Sequence, residues 1–220
     1  MLDAARIAAL LQPFAPDVSP ELAAQLQTYL ELLLRWNARM NLTAVRDPEQ
    51  IVTRHFGESL FAARVLRDAG AFEAREGTSV TLADVGSGAG FPGVPIKLFA
   101  PETQLTLIES QNKKATFLRE VARALGLSHI VVHCGRAETW GGHADVVTLR
   151  AVEKFTATLP VAAALVAPHG SLALLLGESQ SQPAAAALRL GWGVTVSQKM
   201  PGSGGRIVLL TQRRTESDKH

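Results

Sequence analysis

The chain contains 220 residues, of which 47% are hydrophobic and 19% are charged, a composition that supports one domain with a sizeable core. Its formal charge of +2 and its pI of 8.9 permit a nucleic-acid partner without identifying one. No apolar run approaches the ~20 residues that span a bilayer, and the N-terminus has no secretory pattern. The single cysteine, Cys134, excludes an internal disulfide and a cysteine-based zinc site. We therefore expect a cytoplasmic protein with no membrane association and no metal.

The N-terminal third has a helical pattern. Ser19 and Pro20 form a cap and first-turn pair that starts a helix, and apolar residues then recur at steps of three and four as far as Trp36. The predicted segments are a helix over Pro20–Met40, a second helix that starts at Asp47-Pro48 and continues over Glu58–Leu66, and a loop over Glu73–Ser79. We therefore predict a helical N-terminal cap over residues 1–75.

From residue 76 to residue 212, strand and helix patterns alternate. The predicted strands are Thr81–Val85, Gln104–Glu109, Ile130–His133, Asp145–Arg150, Ser171–Leu176, Val194–Gln198 and Ile207–Gln212. The predicted helices are Gly93–Phe99, Gln111–Leu125, Phe155–Val166 and Pro183–Leu190. Apolar strands separated by helices favour a parallel sheet covered on both faces, while Pro201–Gly205 joins the last two strands as an antiparallel hairpin. Residues 213–220 are expected to form a solvated tail.

One segment carries most of the functional information, namely the ten residues Asp84–Gly93 after the first strand of this domain. Gly86, Gly88 and Gly90, at alternate positions, allow positive φ and a close approach of the backbone to a ligand. The helix that follows directs its free N–H groups at that ligand. Glu109 ends the next strand, where a carboxylate is placed to bind the two hydroxyls of a ribose. The pattern therefore predicts a cofactor that contains a nucleoside.

Three other interpretations of this loop have less support. A nucleoside triphosphate loop ends in Gly-Lys-Ser/Thr, but the first lysine here is Lys97, well inside the following helix. A dinucleotide loop has its third glycine where this chain has Phe91. A tight turn without any ligand is the minority interpretation, because Glu109 lies at the spacing that a nucleotide-type cofactor loop requires.

The loop and its preceding acid resemble motif I of the Rossmann-like S-adenosylmethionine-dependent methyltransferases, and further segments narrow this resemblance. In chain order they are Trp36-Asn37, Asn41–Val45, Arg54–Phe56 with Ser59-Leu60, Asp84–Gly93, Glu109-Ser110 with Asn112–Lys114 and Phe117-Leu118, Arg136–Glu138, and Thr148–Val152. Together they are similar to the bacterial 16S ribosomal RNA guanine-N7 methyltransferases, once called glucose-inhibited division protein B. Two positions depart from the family: Glu58 stands where aspartate is usual, and Leu176 where lysine is usual.

The resemblance implies a class I, Rossmann-like methyltransferase fold, with a mostly parallel seven-stranded sheet that ends in an antiparallel hairpin. It implies S-adenosylmethionine as the cofactor and S-adenosylhomocysteine as its product. The implied partner is 16S ribosomal RNA within a small-subunit ribosomal particle, and we expect a monomer. The positions that match the cofactor site of the family are Asp84, Gly86, Gly88, Gly90, Phe91, Glu109, Ser110, Gln111, Ala137, Glu138 and Arg150.

The implied reaction needs little acid–base chemistry. Guanine N7 has an exposed lone pair and no proton, so its attack on a sulfonium methyl group needs alignment and exclusion of water more than a general base. Arg150 is therefore expected to position the guanine or the cofactor carboxylate. The residues expected to meet the RNA are Asn41, His55, Lys113, Arg119 and Arg123.

Each of these residues also has a purely structural interpretation. Arg150 can be a surface ion-pair partner, His55 a packing contact, and Asn41 a turn residue. Phe91 can belong to the core of the loop. Arg119 and Arg123 can lie on a solvated helix face, because the apolar residues of that helix fill its inner stripe.

Other functions are also compatible with the sequence. A small-molecule methyltransferase on the same fold would usually carry a substrate lid and an acid or base near the acceptor, and neither is evident. A non-catalytic nucleotide-binding protein would bind S-adenosylhomocysteine without methylating any RNA. A dinucleotide dehydrogenase is the weakest alternative, and it predicts that NAD protects the protein from heat.

Overall fold

The computed structural model describes residues 2–74, 78–150, 155–188 and 191–213. Within these ranges the helices are α1 (Ala4–Leu11), α2 (Pro20–Asn37), α3 (Pro48–Ile51), α4 (Glu58–Asp68), α5 (Gly93–Phe99), α6 (Asn112–Ala124), α7 (Phe155–Ala164) and α8 (Ser181–Leu188). The strands are β1 (Thr81–Val85), β2 (Gln104–Glu109), β3 (Ile130–Cys134), β4 (Ala144–Arg150), β5 (Val166–Gly177), β6 (Trp192–Lys199) and β7 (Arg206–Arg213). A π-helical turn, Val52–Gly57, joins α3 to α4.

The described strands form a single sheet in the order β3-β2-β1-β4-β5-β7-β6. Strands β1 to β5 pair in parallel, whereas β7 runs antiparallel to both β5 and β6. From β1 the chain adds β2 and β3 toward one edge of the sheet, and from β4 it adds the remaining strands toward the other edge. The strand order therefore switches between the neighbours β1 and β4. Ligands of open α/β sheets bind at the carboxyl ends of the strands beside such a switch. The predicted fold class is confirmed.

Both faces of the sheet are buried. Leu82 and Leu107 contribute to one hydrophobic cluster, whereas Ala83 and Ile108, the next residues along the same strands, contribute to another. Successive side chains of a strand point to opposite faces, so the two clusters lie on the two sides of the sheet. This explains why the strands are nearly continuous apolar runs in the sequence.

The N-terminal helices cover one of these faces. Tyr29 of α2, Phe56 of the π turn and Leu60 of α4 belong to the same buried cluster as Leu107 of β2 and Phe117 of α6. The cluster also contains Ile7 and Leu11 of α1, a helix that the sequence pattern left unassigned. The N-terminal region is therefore packed on the sheet through a continuous core.

Helix α2 starts as predicted but ends earlier. The Ser19 hydroxyl accepts a hydrogen bond from the Leu22 N–H at 3.1 Å, which is the expected cap. The helix ends at Asn37, not at Met40. The Asn37 side-chain oxygen accepts hydrogen bonds from the N–H groups of Leu42 and Thr43 at 2.8 and 3.0 Å. These bonds stabilise a turn in place of a further helical turn.

Two boundaries in the C-terminal half differ from the prediction. Strand β5 begins at Val166, which the sequence pattern placed in a helix, because Val166 pairs with Ala144 before a bulge in β5, where residues 167–170 stand opposite Asp145. Arg213 was placed in a solvated tail, yet it is the last residue of β7 and its guanidinium lies 5.5 Å from the centre of the Trp192 ring. In both strands the hydrogen-bonded pairing of the sheet continues beyond the apolar run that predicted the strand.

Several predictions lie outside the described residues. They are the boundary at residues 75 and 76, the motif residues Ala151 and Val152, the end of the helix predicted over Pro183–Leu190, and the tail after Arg213. Among the helices that the structure describes, none is long and apolar enough to cross a membrane.

Candidate active site

The glycine loop between β1 and α5 has the backbone that its sequence predicts. Gly86, Gly88 and Gly90 have φ values of 68°, 57° and 92°, in the region that favours glycine. The N–H groups of Gly86 and Ser87 donate to the Ile108 carbonyl at 2.9 and 3.0 Å. The loop is thus held against the end of β2, which keeps the carboxyl ends of β1 and β2 in register.

Tyr29 supports the loop from the N-terminal helices. It is fully buried, and its hydroxyl donates to the Ala89 carbonyl. A Cβ atom at Gly90 would lie 2.3 Å from the Tyr29 hydroxyl oxygen and 2.9 Å from Val94. Glycine is therefore required at position 90 for packing as well as for its φ. Only the tertiary structure shows this role of Tyr29.

Asp84 lies beneath the loop. The side chain is fully buried; one carboxylate oxygen accepts from the Thr148 hydroxyl at 2.7 Å and the other from the Gly93 N–H at 3.2 Å. Burial raises the pKa of Asp84 to about 6, against the lowering effect of the Thr148 hydrogen bond. These contacts tie β1 to β4 and to the start of α5. The structure therefore places Asp84, one of the predicted cofactor residues, in a position that supports the loop.

Glu109 connects the loop to α6. One oxygen accepts from the Gly88 N–H at 2.9 Å, and the other accepts from the Gln111 N–H at 2.7 Å. The residue is only 5% exposed. A carboxylate has about four lone-pair sites, so both oxygens retain capacity for ribose hydroxyls.

A cavity of about 360 Å³ opens beside the loop at the carboxyl ends of the parallel strands. Four of the predicted cofactor residues line it: Gly86, Ser110, Ala137 and Glu138. The cavity is also lined by Val85, Ile108, Gly135, Arg136, Ala157, Thr158 and Val161. Residues from three strand ends and from α7 thus line one cavity, which has both polar and apolar walls.

The other predicted cofactor residues do not line this cavity. Gly88, Gly90 and Glu109 belong to the loop and its anchor, and Gln111 is exposed at the start of α6. Phe91 is 8% exposed, with its ring stacked on Tyr29 at a centroid distance of 5.5 Å. Phe91 therefore belongs to the buried hydrophobic cluster beneath the loop.

His55 also packs against Phe91. The two rings stack at a centroid distance of 4.9 Å. His55 Nδ1 lies 3.1 Å from Arg150 Nη2, and Nε2 lies 2.8 Å from the Thr43 hydroxyl. Because a guanidinium can only donate, Nδ1 is the acceptor and Nε2 carries the proton. Burial, and next the charge of Arg150, lower the pKa of His55 to about 3, so the ring is neutral at physiological pH.

Arg150, at the end of β4, is the most enclosed cation of the site. Its side chain is 9% exposed, and burial lowers its pKa to about 10, which leaves it charged at neutral pH. Nη2 donates to the Arg54 carbonyl at 2.6 Å and lies 3.0 Å from a Glu58 carboxylate oxygen. The guanidinium carbon lies 6.0 Å from the centre of the Phe91 ring.

The remaining predicted RNA residues are dispersed on the surface. Asn41 is exposed and accepts from the Arg46 guanidinium at 2.9 Å, so it does not share the Thr43–His55 contact. Lys113, Arg119 and Arg123 are exposed along α6. The structure brings His55 to Arg150, whereas the other four residues are exposed.

No group of three or more His, Cys, Asp or Glu side chains in the described part of the chain is arranged to hold a metal ion.

Comparison with known proteins identifies the family. The family described as rRNA small subunit methyltransferase G matches residues 22–191. The chain belongs to this family. Ribosomal RNA small subunit methyltransferase G of Stenotrophomonas maltophilia is 39% identical over 194 residues, which cover 86% of each chain. The protein of the same name from Xanthomonas euvesicatoria is 38% identical and covers 91% of this chain and 97% of its own.

Solved structures agree on the fold of this family member. The ribosomal protein L11 methylase of Lactobacillus delbrueckii superposes with a TM-score of 0.56 at 18% identity, over 72% of this chain and 80% of that one. TYW2 of M. jannaschii, solved in complex with AdoMet, superposes with a TM-score of 0.51 at 16% identity, over 70% and 77% of the two chains. At these identities the likeness establishes a Rossmann-like methyltransferase fold.

The partners of Arg150 in this rRNA small subunit methyltransferase G family member are not evident from the sequence. Glu58 is 2% exposed, and its two oxygens contact Arg150 and Arg206, which comes from the start of β7. Burial raises the pKa of Glu58, and the two guanidinium groups oppose that rise. The available signal was the acidic residue at position 58, where the family usually has aspartate.

Proposed function

We propose that this chain transfers the methyl group of S-adenosylmethionine to N7 of a guanine in the decoding-region stem-loop of 16S ribosomal RNA. The proposal is carried by one observation: in a member of this family, residues from three strand ends line one cavity beside the glycine loop, with Arg150 at the end of the adjacent strand β4. S-adenosylhomocysteine is the expected product. The cofactor supplies an electrophilic methyl group on its sulfonium sulfur.

The charges of the site suit a nucleophile that carries no proton. Guanine N7 offers a lone pair, so the protein has to align the base and exclude water. His55 has a pKa of about 3 and donates its one ring proton to Thr43, so it is unsuited to accept a proton at neutral pH. Among the described residues around Arg150, we assign no general base. Arg150 positions the guanine or the cofactor carboxylate.

A second cavity, of about 240 Å³, supports an anionic substrate. Arg54, Arg206 and Glu58 line it together with Thr53 and Ser203. The charges of Arg54, Arg150 and Arg206 all act on His55, and Glu58 is the carboxylate bonded to two of them. The excess of cations favours a polyanion such as RNA, whose phosphates supply much of the binding energy.

The test is tritiated S-adenosylmethionine with purified 16S ribosomal RNA and with small ribosomal subunits, followed by mapping of the labelled nucleotide. We expect label at N7 of one guanine. Arg150→Lys keeps the charge but loses the planar fork, and we expect its rate to fall by roughly 100-fold or more. Arg213→Lys, at the opposite end of β7 from Arg206, is the control and should retain the rate. Label on a nitrogen that carries a proton, or only on small metabolites, would contradict the proposal.

A further inference from the structure

The two terminal nitrogens of Arg150 have different surroundings. Nη2 faces three acceptors: the Arg54 carbonyl at 2.6 Å, His55 Nδ1 at 3.1 Å and a Glu58 oxygen at 3.0 Å. Nη1 is buried and has no hydrogen-bond partner among the described residues. A buried donor without a partner is costly. Nη1 is therefore a donor of the guanidinium for which the described residues supply no acceptor.

All three acceptors come from one short stretch of chain. Arg54 and His55 lie in the π-helical turn, and Glu58 is the first residue of α4. A π turn is wider than an α-helical turn and is frequent at functional sites. In this turn and the residue after it, a carbonyl, a ring nitrogen and a carboxylate all approach Nη2 of Arg150. Arg150 lies 92 positions or more further along the chain.

Glu58 is itself fixed from a second direction. Its other oxygen contacts Arg206 of β7, so each oxygen holds one guanidinium. Arg206 is 28% exposed in its side chain, whereas Glu58 is 3% exposed. With both oxygens occupied, the carboxylate cannot rotate away from Arg150 without breaking a second ion pair.

We propose that Glu58 is a positioning residue that acts through Arg150: it holds Nη2 and thereby directs Nη1 to the cofactor or the guanine. This inference rests on the proposed methyl transfer. It assigns a function to the glutamate that replaces the usual aspartate, because the longer side chain reaches two arginines at once.

A double-mutant cycle separates positioning from general support of the fold. Glu58→Gln, Arg150→Lys and the double variant are compared by single-turnover methyl transfer at saturating cofactor and RNA. We expect Glu58→Gln to lower the rate roughly 100-fold in the wild-type background, the scale of a misaligned group, and less than about threefold in the Arg150→Lys background. Glu58→Asp should restore part of the rate. Glu49→Gln, which removes an exposed ion pair with Arg6, is the control.

If Glu58→Gln lowered the rate by the same factor in both backgrounds, Glu58 would act independently of Arg150 and the inference would be overturned. A wild-type rate in Glu58→Gln would overturn it as well. If Glu58→Gln does not fold, Glu58→Asp takes its place in the cycle. A wild-type protein that methylates no RNA would instead refute the proposed function.

A second measurement does not depend on activity. Carbon-detected NMR of the arginine side chains reports rotation of the Arg150 guanidinium about its Nε–Cζ bond, with Arg150→Lys identifying the signal. We expect faster rotation in Glu58→Gln than in wild type, and wild-type rotation in Glu49→Gln. Unchanged rotation in Glu58→Gln would contradict the positioning role whatever the substrate is.

Discussion

Gly86 shows how one residue type makes the cofactor loop possible. Its φ is 68°, and it lines the cavity, so a Cβ would both strain the backbone and narrow the site. We predict that Gly86→Val abolishes the rise in melting temperature that S-adenosylhomocysteine gives by mass action. Gly126→Val is the matched control, because Gly126 has φ 61° with no atom near its Cβ position and lies after α6. Gly126→Val should lose stability but still bind S-adenosylhomocysteine. Binding of S-adenosylhomocysteine by Gly86→Val would reject the proposed site.

Glu109 is predicted to bind the ribose hydroxyls while it anchors the loop. Glu109→Ala should weaken cofactor binding by about 1.5–3 kcal/mol for each charged hydrogen bond lost, or roughly 10- to 100-fold, measured by calorimetry. The structure adds a second effect: the Gly88 and Gln111 N–H groups lose their acceptor, at a cost of about 1–3 kcal/mol in stability. Glu102→Ala, at an exposed position, should change neither quantity. Wild-type affinity would show that Glu109 is misassigned.

His55 makes the stability of the folded protein depend on pH, and the sign of this dependence follows from its pKa. Its folded pKa of about 3 lies below the ordinary value of about 6.5, so the unfolded chain binds more protons between these values. Stability conferred by His55 therefore rises with pH across this window, by at most about 1.4 kcal/mol per pH unit. We predict that the difference in unfolding free energy between wild type and His55→Gln, from urea denaturation, rises from pH 3 to pH 6.5.

Asp84 acts in the opposite direction, since its folded pKa of about 6 lies above the ordinary value of about 3.9. The contribution of Asp84 to stability falls as pH rises through that range. Because Asp84 is present in both wild type and His55→Gln, this contribution cancels in the difference between their unfolding free energies. His143→Gln, at an exposed position, is the control. A difference for His55→Gln that is independent of pH would refute the buried, neutral state of the ring.

At the scale of elements, the π turn is packed against the chain that follows α1. A Cβ at Gly57 would lie 2.7–2.9 Å from the Phe14 ring. Gly57 has a helical backbone, with φ −56°, so alanine gains about 1 kcal/mol of helix propensity. The clash costs about 1–3 kcal/mol and should prevail. We predict that Gly57→Ala lowers stability.

The effect of Gly57→Ala on stability should change sign when the Phe14 ring is absent. In a Phe14→Ala background, Gly57→Ala is expected to raise stability by up to about 1 kcal/mol, measured by urea denaturation. Destabilisation of equal size in both backgrounds would mean that the π turn, and not the contact with Phe14, requires glycine. The outcome bears on the site, because Arg54 and His55 belong to this turn.

For the whole molecule, the proposed chemistry predicts the pH dependence of the reaction. A lone-pair nucleophile needs no deprotonation, and His55 stays neutral over the relevant range. The single-turnover rate should therefore be nearly flat from mildly acidic to mildly alkaline pH, without the bell shape of acid–base catalysis. Measurement on wild type with saturating cofactor checks this. A rate that rises tenfold per pH unit would require a general base that the structure does not provide among its described residues.

The sequence by itself determined the architecture and predicted the place of the site. Apolar runs of strand length, helical periodicity between them and the glycine-rich hairpin connection are local signals, and they predicted the parallel sheet with its antiparallel end. The spacing from the glycine loop to Glu109 predicted a cofactor site at the carboxyl ends of the strands, since parallel strands bring these ends to one edge.

Only the tertiary structure decided what the individual polar side chains contact. Asp84 and Thr148 lie on neighbouring strands, and Glu58 meets Arg150 and Arg206 across more than ninety positions of the chain. Such partners leave no periodicity in the sequence, because each depends on how a helix is placed over the sheet. The supporting position of Asp84 and the arginine contacts of Glu58 therefore became visible only in the folded molecule, where burial obliges every charged group to find a partner.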